Sequence, residues 1–241
     1  MTLTILLAVS AYLFGSIPLA YLLARVVKGV DLRRYGSGAV TGSNAGELMG
    51  KWALVVVGCL DILKGAAPVW AAQYLGEGLS QQVSIGLAGV VGHNWSLYLN
   101  FQGGRGFTIV LGVLLAAARL ELLLFGIVAI FGVAFSGNVP VVMGVALLLL
   151  PFWSFALSQE LPLIWGNGIM AFIVFVKRLI GNEGRLPEVR RGTVLLYRLL
   201  FDRDTKDRDE WIHRDDTLAV PIYEAAPATH RNDDAPEAYN G

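Results

Sequence analysis

Seven runs of apolar side chains, at residues 3–27, 53–75, 83–99, 107–118, 120–136, 139–157 and 162–176, are joined by short polar or glycine-rich segments. A helix crossing the hydrocarbon of a bilayer needs roughly 20 mostly apolar residues. Only helices and closed barrels satisfy their own backbone groups there. In a chain that is 55% hydrophobic and only 16% charged, such runs predict an all-α polytopic membrane protein with about seven transmembrane helices. Only Arg119 separates the runs at 107–118 and 120–136. We read them as two helices meeting in a tight turn, the alternative being one broken helix. The first run has no basic residue before it and exceeds the apolar part of a signal peptide, so it is expected to stay attached.

Charge divides the chain. Residues 1–181 carry ten Lys and Arg against six Asp and Glu, and residues 182–241 carry nine against thirteen, so a formal net charge of zero conceals two parts. We therefore expect a membrane domain over 1–181 and a charged cytoplasmic tail over 182–241. Threading the runs through a bilayer gathers Lys28, Arg33, Arg34, Lys51, Arg105, Lys177 and Arg178 on one side, with Glu77, Arg119, Glu121 and Glu160 on the other. Basic loops stay in the cytoplasm, which predicts the N-terminus outside and the C-terminus inside. Within the tail, residues 193–201 read either as a short helix on an anionic membrane surface or as a solvated linker helix. The Ala-, Pro-, Asp- and Asn-rich end reads as disordered. Cys59 lies in the second run, is assigned to packing, and has no second cysteine with which to form a disulfide.

The informative residues are those that a plain bundle would avoid. Asp61 and Lys64 lie in the second run, about 15 Å of helix beyond Lys51. Three residues apart, they share a helix face and can pair. Ionisable groups at membrane depth mark functional sites by default, the competing reading being an ion pair that only fixes helix packing. Gly36, Ser37 and Gly38, followed by Thr41, Gly42, Ser43 and Asn44, form a small polar loop just before that run. Converging backbone N–H groups in such a loop suit an anion, although Gly-, Ser- and Asn-rich loops also serve as plain turns. A second loop runs from Gly92, His93, Asn94 and Trp95 to Gly103, Gly104, Arg105 and Gly106. There the glycines let the backbone wrap an oxyanion that a guanidinium can bind bidentately. His93 at its entrance is either an acid–base group or a satisfied interior histidine. Two loops on one side suggest two anionic substrates.

These residues resemble the bacterial acyl-phosphate:glycerol-3-phosphate acyltransferases, the PlsY family. The resemblance lies in Gly15-Ser16-Ile17-Pro18, in Gly36-Ser37-Gly38, in Leu60-Asp61-Ile62-Leu63-Lys64-Gly65, and in Gly92-His93 with Gly103-Gly104-Arg105-Gly106. It covers roughly residues 10–110, in order. Ala39, Glu47, Ser96 and Arg105 stand where the family usually has Asn, Arg, Pro and Lys. The resemblance implies transfer of an acyl group from acyl phosphate to glycerol 3-phosphate, giving lysophosphatidic acid and phosphate. It implies Ser37 and His93 as catalytic residues, with Gly36, Gly38, Asn44, Asp61, Lys64, Gly103, Gly104 and Arg105 binding substrate.

Membrane lipids are the surrounding partner and the inner cell membrane the expected location. Metal ions, cofactors and nucleic acid are not expected, and no feature of the sequence fixes an oligomeric state. Two other classes compete: a catalytically silent lipid-binding relative, and a transporter of an organic phosphate.

Overall fold

A computed structural model describes residues 1–180 and 191–207. Every regular element among them is helical: α1 (Thr2–Ser16), α2 (Leu19–Lys28), α3 (Gly42–Met49), α4 (Lys51–Tyr74), α5 (Leu79–Asn94), α6 (Phe107–Ala117), α7 (Arg119–Ser136), α8 (Val139–Ala156), α9 (Leu161–Ile180) and α10 (Arg191–Phe201). Five stretches are long and apolar enough to cross a membrane: Thr2–Lys28, α4, α7, α8 and α9. Helix α6 is apolar but has only 11 residues, and α5 has 16. The lipid-facing character shows in the side chains. Helix α7 buries only Glu121 and Phe125, while Leu123, Ile130, Phe131 and Phe135 are exposed. An apolar surface of that extent is stable against hydrocarbon, not against water.

The runs at 107–118 and 120–136 are two helices, as expected, broken at Ala118 with φ −147 and ψ 65. The first run is not one helix. Proline has no N–H and drives the residue before it out of the helical region. Ile17, at φ −58 and ψ 115, is that residue, so α1 stops at Ser16 and α2 restarts after Pro18. The third run also ends earlier than its hydrophobicity predicts. Trp95 N–H closes α5 onto Val91 O at 2.8 Å, and a single 3-10 turn at Leu97–Leu99 follows. Glu121, one of the charges expected on the outer side, is fully buried in the first turn of α7. There it accepts from Ser154 Oγ at 2.9 Å, which accepts in turn from Asn167 Nδ2 at 2.7 Å.

Between helices in lipid there is little hydrophobic driving force, so close backbone approach through small residues does the packing. Helices α4 and α6 meet in this way. A Cβ added at Gly65 would sit on Ile109 O, and one added at Gly112 would sit on Ile62 O. This reciprocal contact brings the Asp61 turn of α4 against the start of α6. Val69, Val90, Ile109, Val113, Leu147 and Val174 form the centre of the main core around it.

Within the segment read as a tail, α10 packs against α8 and α9. Its Leu195, Leu196 and Leu200 remain partly exposed. The disordered reading of the chain end falls on residues outside those described.

Candidate active site

The break at Pro18 places the carbonyls of Ser16 and Ile17 at a helix end, where side chains from other helices reach them. Lys64 Nζ donates to Ile17 O at 2.7 Å, and Ser96 Oγ donates to Ser16 O at 2.5 Å. Around this junction lies a small cleft. Its walls include Ser16, Pro18 and Val40, then Asp61, Lys64 and His93, and on the far side Ser96, Gly103 and Gly104. The second loop reaches this cleft through Gly103 and Gly104, whereas the first approaches it only through Val40: Gly36, Ser37, Gly38 and Asn44 are not among its lining residues.

Asp61 is the hub. Its Oδ1 lies 3.1 Å from Lys64 Nζ and 3.7 Å from His93 Nδ1, and its Oδ2 accepts from Thr108 Oγ1 at 3.4 Å. The carboxylate is supplied from the middle of α4, the imidazole from the last turn of α5 and the hydroxyl from the first turn of α6. His93 is also held from the other face. Gly104 N–H donates to His93 O at 3.0 Å, and a Cβ at Gly104 would sit on His93 Nε2. Only glycine lets the loop backbone pass so close to the ring. The arrangement is a carboxylate orienting a histidine, with a lysine beside it and a glycine backbone opposite. Such a set can bind an anion and move one proton.

The first loop is built by Asn44. Its side chain is buried, and its Nδ2 donates to Leu32 O, Tyr35 O and Ala39 O at 3.2, 2.9 and 3.0 Å. Its Oδ1 accepts from Ser37 N–H at 3.3 Å. Gly36 and Gly38 both have positive φ, 54 and 70, which lets the chain curl around that amide. Asn44 thus faces the loop backbone. Upstream, the Arg33 guanidinium grips both oxygens of Asp31 at 3.0 and 2.7 Å and holds that carboxyl below its ordinary range. Ser37 Oγ accepts from Ala39 N–H at 3.4 Å, and Glu47 is exposed on α3.

Arg105 is not among the cleft-lining residues. It is buried, with Nη1 donating to Lys177 O at 3.3 Å and Nε 3.4 Å from Asp202 Oδ2. Cys59 is exposed on α4, away from the cleft.

Sequence reasoning missed Ser16, Ser96 and Thr108 as parts of this site. Ser16 Oγ is buried in the cleft wall with no hydrogen-bond partner among the described residues. The available signal was Pro18 directly after Ser16-Ile17 inside an apolar run, which exposes backbone at membrane depth.

Comparison with known proteins shows the family. A family described as "Glycerol-3-phosphate acyltransferase" matches residues 5–186. The chain belongs to the glycerol-3-phosphate acyltransferase family. A relative in Dehalococcoides mccartyi, named glycerol-3-phosphate acyltransferase 5, is 36% identical over 223 residues, covering 89% of this chain and 95% of its own. Glycerol-3-phosphate acyltransferase 2 of Moorella thermoacetica is 38% identical over 191 residues, covering 76% and 98%. A crystal structure of PlsY, described as an integral membrane glycerol 3-phosphate acyltransferase in its glycerol 3-phosphate form, superposes with a TM-score of 0.69 at 27% identity. It covers 76% of this chain and 96% of that one. The lysophosphatidic acid form of PlsY gives 0.66 at 25% identity, covering 78% and 97%. The family match therefore extends through all the membrane helices of this acyltransferase-family chain, well past the residues that carried the resemblance.

Proposed function

We propose that this integral membrane protein transfers a fatty acyl group from an acyl phosphate to the 1-hydroxyl of glycerol 3-phosphate, at the cytoplasmic face of the inner cell membrane. The observation that carries the reading is the convergence of Asp61, Lys64 and His93 with the Gly103–Gly104 backbone on one cleft, in a chain of this family. The hydroxyl oxygen attacks the acyl carbonyl carbon, forming the ester C–O bond as the bond to phosphate breaks. His93, oriented by Asp61, takes the hydroxyl proton and returns it to the departing phosphate. Lys64 lends positive charge at the cleft, and the glycine backbone offers N–H groups to a developing oxyanion. Ser37, Gly36 and Gly38, on the loop that Asn44 clasps, bind the second anion. Arg105 serves the site through the loop it anchors.

Phosphate is a good leaving group, so positioning two anions and an acyl chain supplies much of the catalysis. No acyl-enzyme is needed, in keeping with an exposed Cys59. The seven-span, N-out topology and the division at residue 181 belong to this same proposal.

The test is purified protein in lipid nanodiscs given palmitoyl phosphate and glycerol 3-phosphate, beside palmitoyl-CoA. Lysophosphatidic acid and phosphate should form in equal amounts with the acyl phosphate. Product only from palmitoyl-CoA, or none from either donor, would sink the reading.

A further inference from the structure

Three cations are buried together behind the second loop: Arg105, Lys177 and Arg178. Lys177 and Arg178 occupy the last turn of α9, where the helix dipole favours positive charge. Buried like charges nevertheless need a counter-charge. Among the described residues, a carboxylate that answers them comes from beyond α10. Asp202 lies 3.4 Å from Arg105 Nε and sits in the field of all three cations.

The segment that carries Asp202 is clasped to the bundle. Arg178 Nη1 donates to Leu199 O at 2.7 Å, while Arg198 Nη1 donates to Leu179 O at 3.0 Å. Each helix end thus has its last carbonyls capped by an arginine of the other. Arg198 is braced in turn by Asp204, at 2.6 and 2.9 Å. Asp202 itself has φ 56, and its N–H closes α10 onto Arg198 O at 3.0 Å. A helix stop in the left-handed region suits glycine best. Here the position is filled by an aspartate whose side chain reaches Arg105.

Arg105 follows directly on Gly103 and Gly104, which line the cleft and hold His93. We propose that Asp202 is a positioning residue for the acyl-transfer site, acting through Arg105 to fix the Gly103–Gly104 backbone against His93. The segment after the last membrane helix is then part of the catalytic apparatus. This rests on the acyl-transfer reading above, and the wild-type assay separates the two: no turnover by wild type defeats that reading, whatever the variants do.

The experiment is a double-mutant cycle of Asp202→Asn and Arg105→Gln, read as kcat and KM with palmitoyl phosphate and glycerol 3-phosphate, beside thermal unfolding of each protein. Asp202→Asn should lower kcat by about tenfold, the coupling expected of residues in contact, in a protein that still folds but unfolds at a lower temperature, because three buried cations lose a carboxylate. Asp202→Glu should recover part of the loss. In the Arg105→Gln background, Asp202→Asn should cost less than about twofold more. A full additive loss in that background, unchanged or raised activity in Asp202→Asn alone, or loss of the fold in both the Asn and Glu variants, each overturns the proposal.

Discussion

Lys64 Nζ and Ile17 O are joined at 2.7 Å, so the cation on α4 closes the break that Pro18 opens between α1 and α2. The same ammonium lies 3.1 Å from Asp61, which lies 3.7 Å from His93. One buried lysine therefore ties a helix break, a carboxylate and a histidine together, and its removal acts on both fold and site.

For this reason Lys64→Met should destabilise strongly, by about 3 to 5 kcal/mol, because it leaves the Asp61 carboxylate buried without its cation. The pair Asp61→Asn/Lys64→Met should regain much of the melting temperature while acyl transfer stays absent. Thermal unfolding in detergent, alongside phosphate release, checks this. Recovery of activity in the double variant would make the pair purely structural.

His93→Gln should leave the fold intact and lower kcat by about 100- to 10,000-fold, the usual range for a lost acid–base group. Gly104→Ala should also lower kcat, since its methyl would occupy the place of His93 Nε2. Steady-state kinetics read both. A Gly104→Ala enzyme with wild-type kcat would show that the loop does not set the ring.

Asn44→Ala removes the clasp of residues 32–39 and leaves buried carbonyls without donors, at about 1 to 3 kcal/mol. We expect faster proteolysis within residues 32–44 and a higher KM for glycerol 3-phosphate, with kcat less affected. Unchanged cleavage kinetics would count against the clasp.

Glu47 is exposed on α3, where the resemblance to the family implies a cation. An exposed charge is screened and contributes about 1 kcal/mol or less. Glu47→Arg should therefore lower the KM for glycerol 3-phosphate by at most about fivefold at low salt, and by less at high salt. Loss of all activity in Glu47→Arg would instead mean that the acceptor itself contacts the carboxylate.

Gly65→Ala should cost about 1 to 3 kcal/mol, because the added methyl falls on the Ile109 carbonyl and the backbones must separate. The melting temperature should fall and activity should fall with it, as the Asp61 turn moves away from Thr108.

Apolar run length and charge placement suffice to read a helical membrane protein, because the bilayer admits only self-satisfied backbone and penalises charge at depth. Asp61 and Lys64 stood out for the same reason, His93 by its place at the entrance to the second loop, and the glycines of both loops marked where the backbone turns tightly. What remained out of reach required knowing which distant atoms meet. Glu121 reads as one of the charges on the outer side, yet Ser154 and Asn167, far along the chain, give it a buried hydrogen-bonded place. Arg105 reads as a phosphate ligand by its glycines, yet its side chain turns to Lys177 O and Asp202. Pro18 announces a break, but not that Lys64 and Ser96 fill it. Hydrophobic burial and helix propensity are properties of local sequence, legible along the chain. A hydrogen bond is directional and spans only a few ångströms, so its partners were decided when the helices packed.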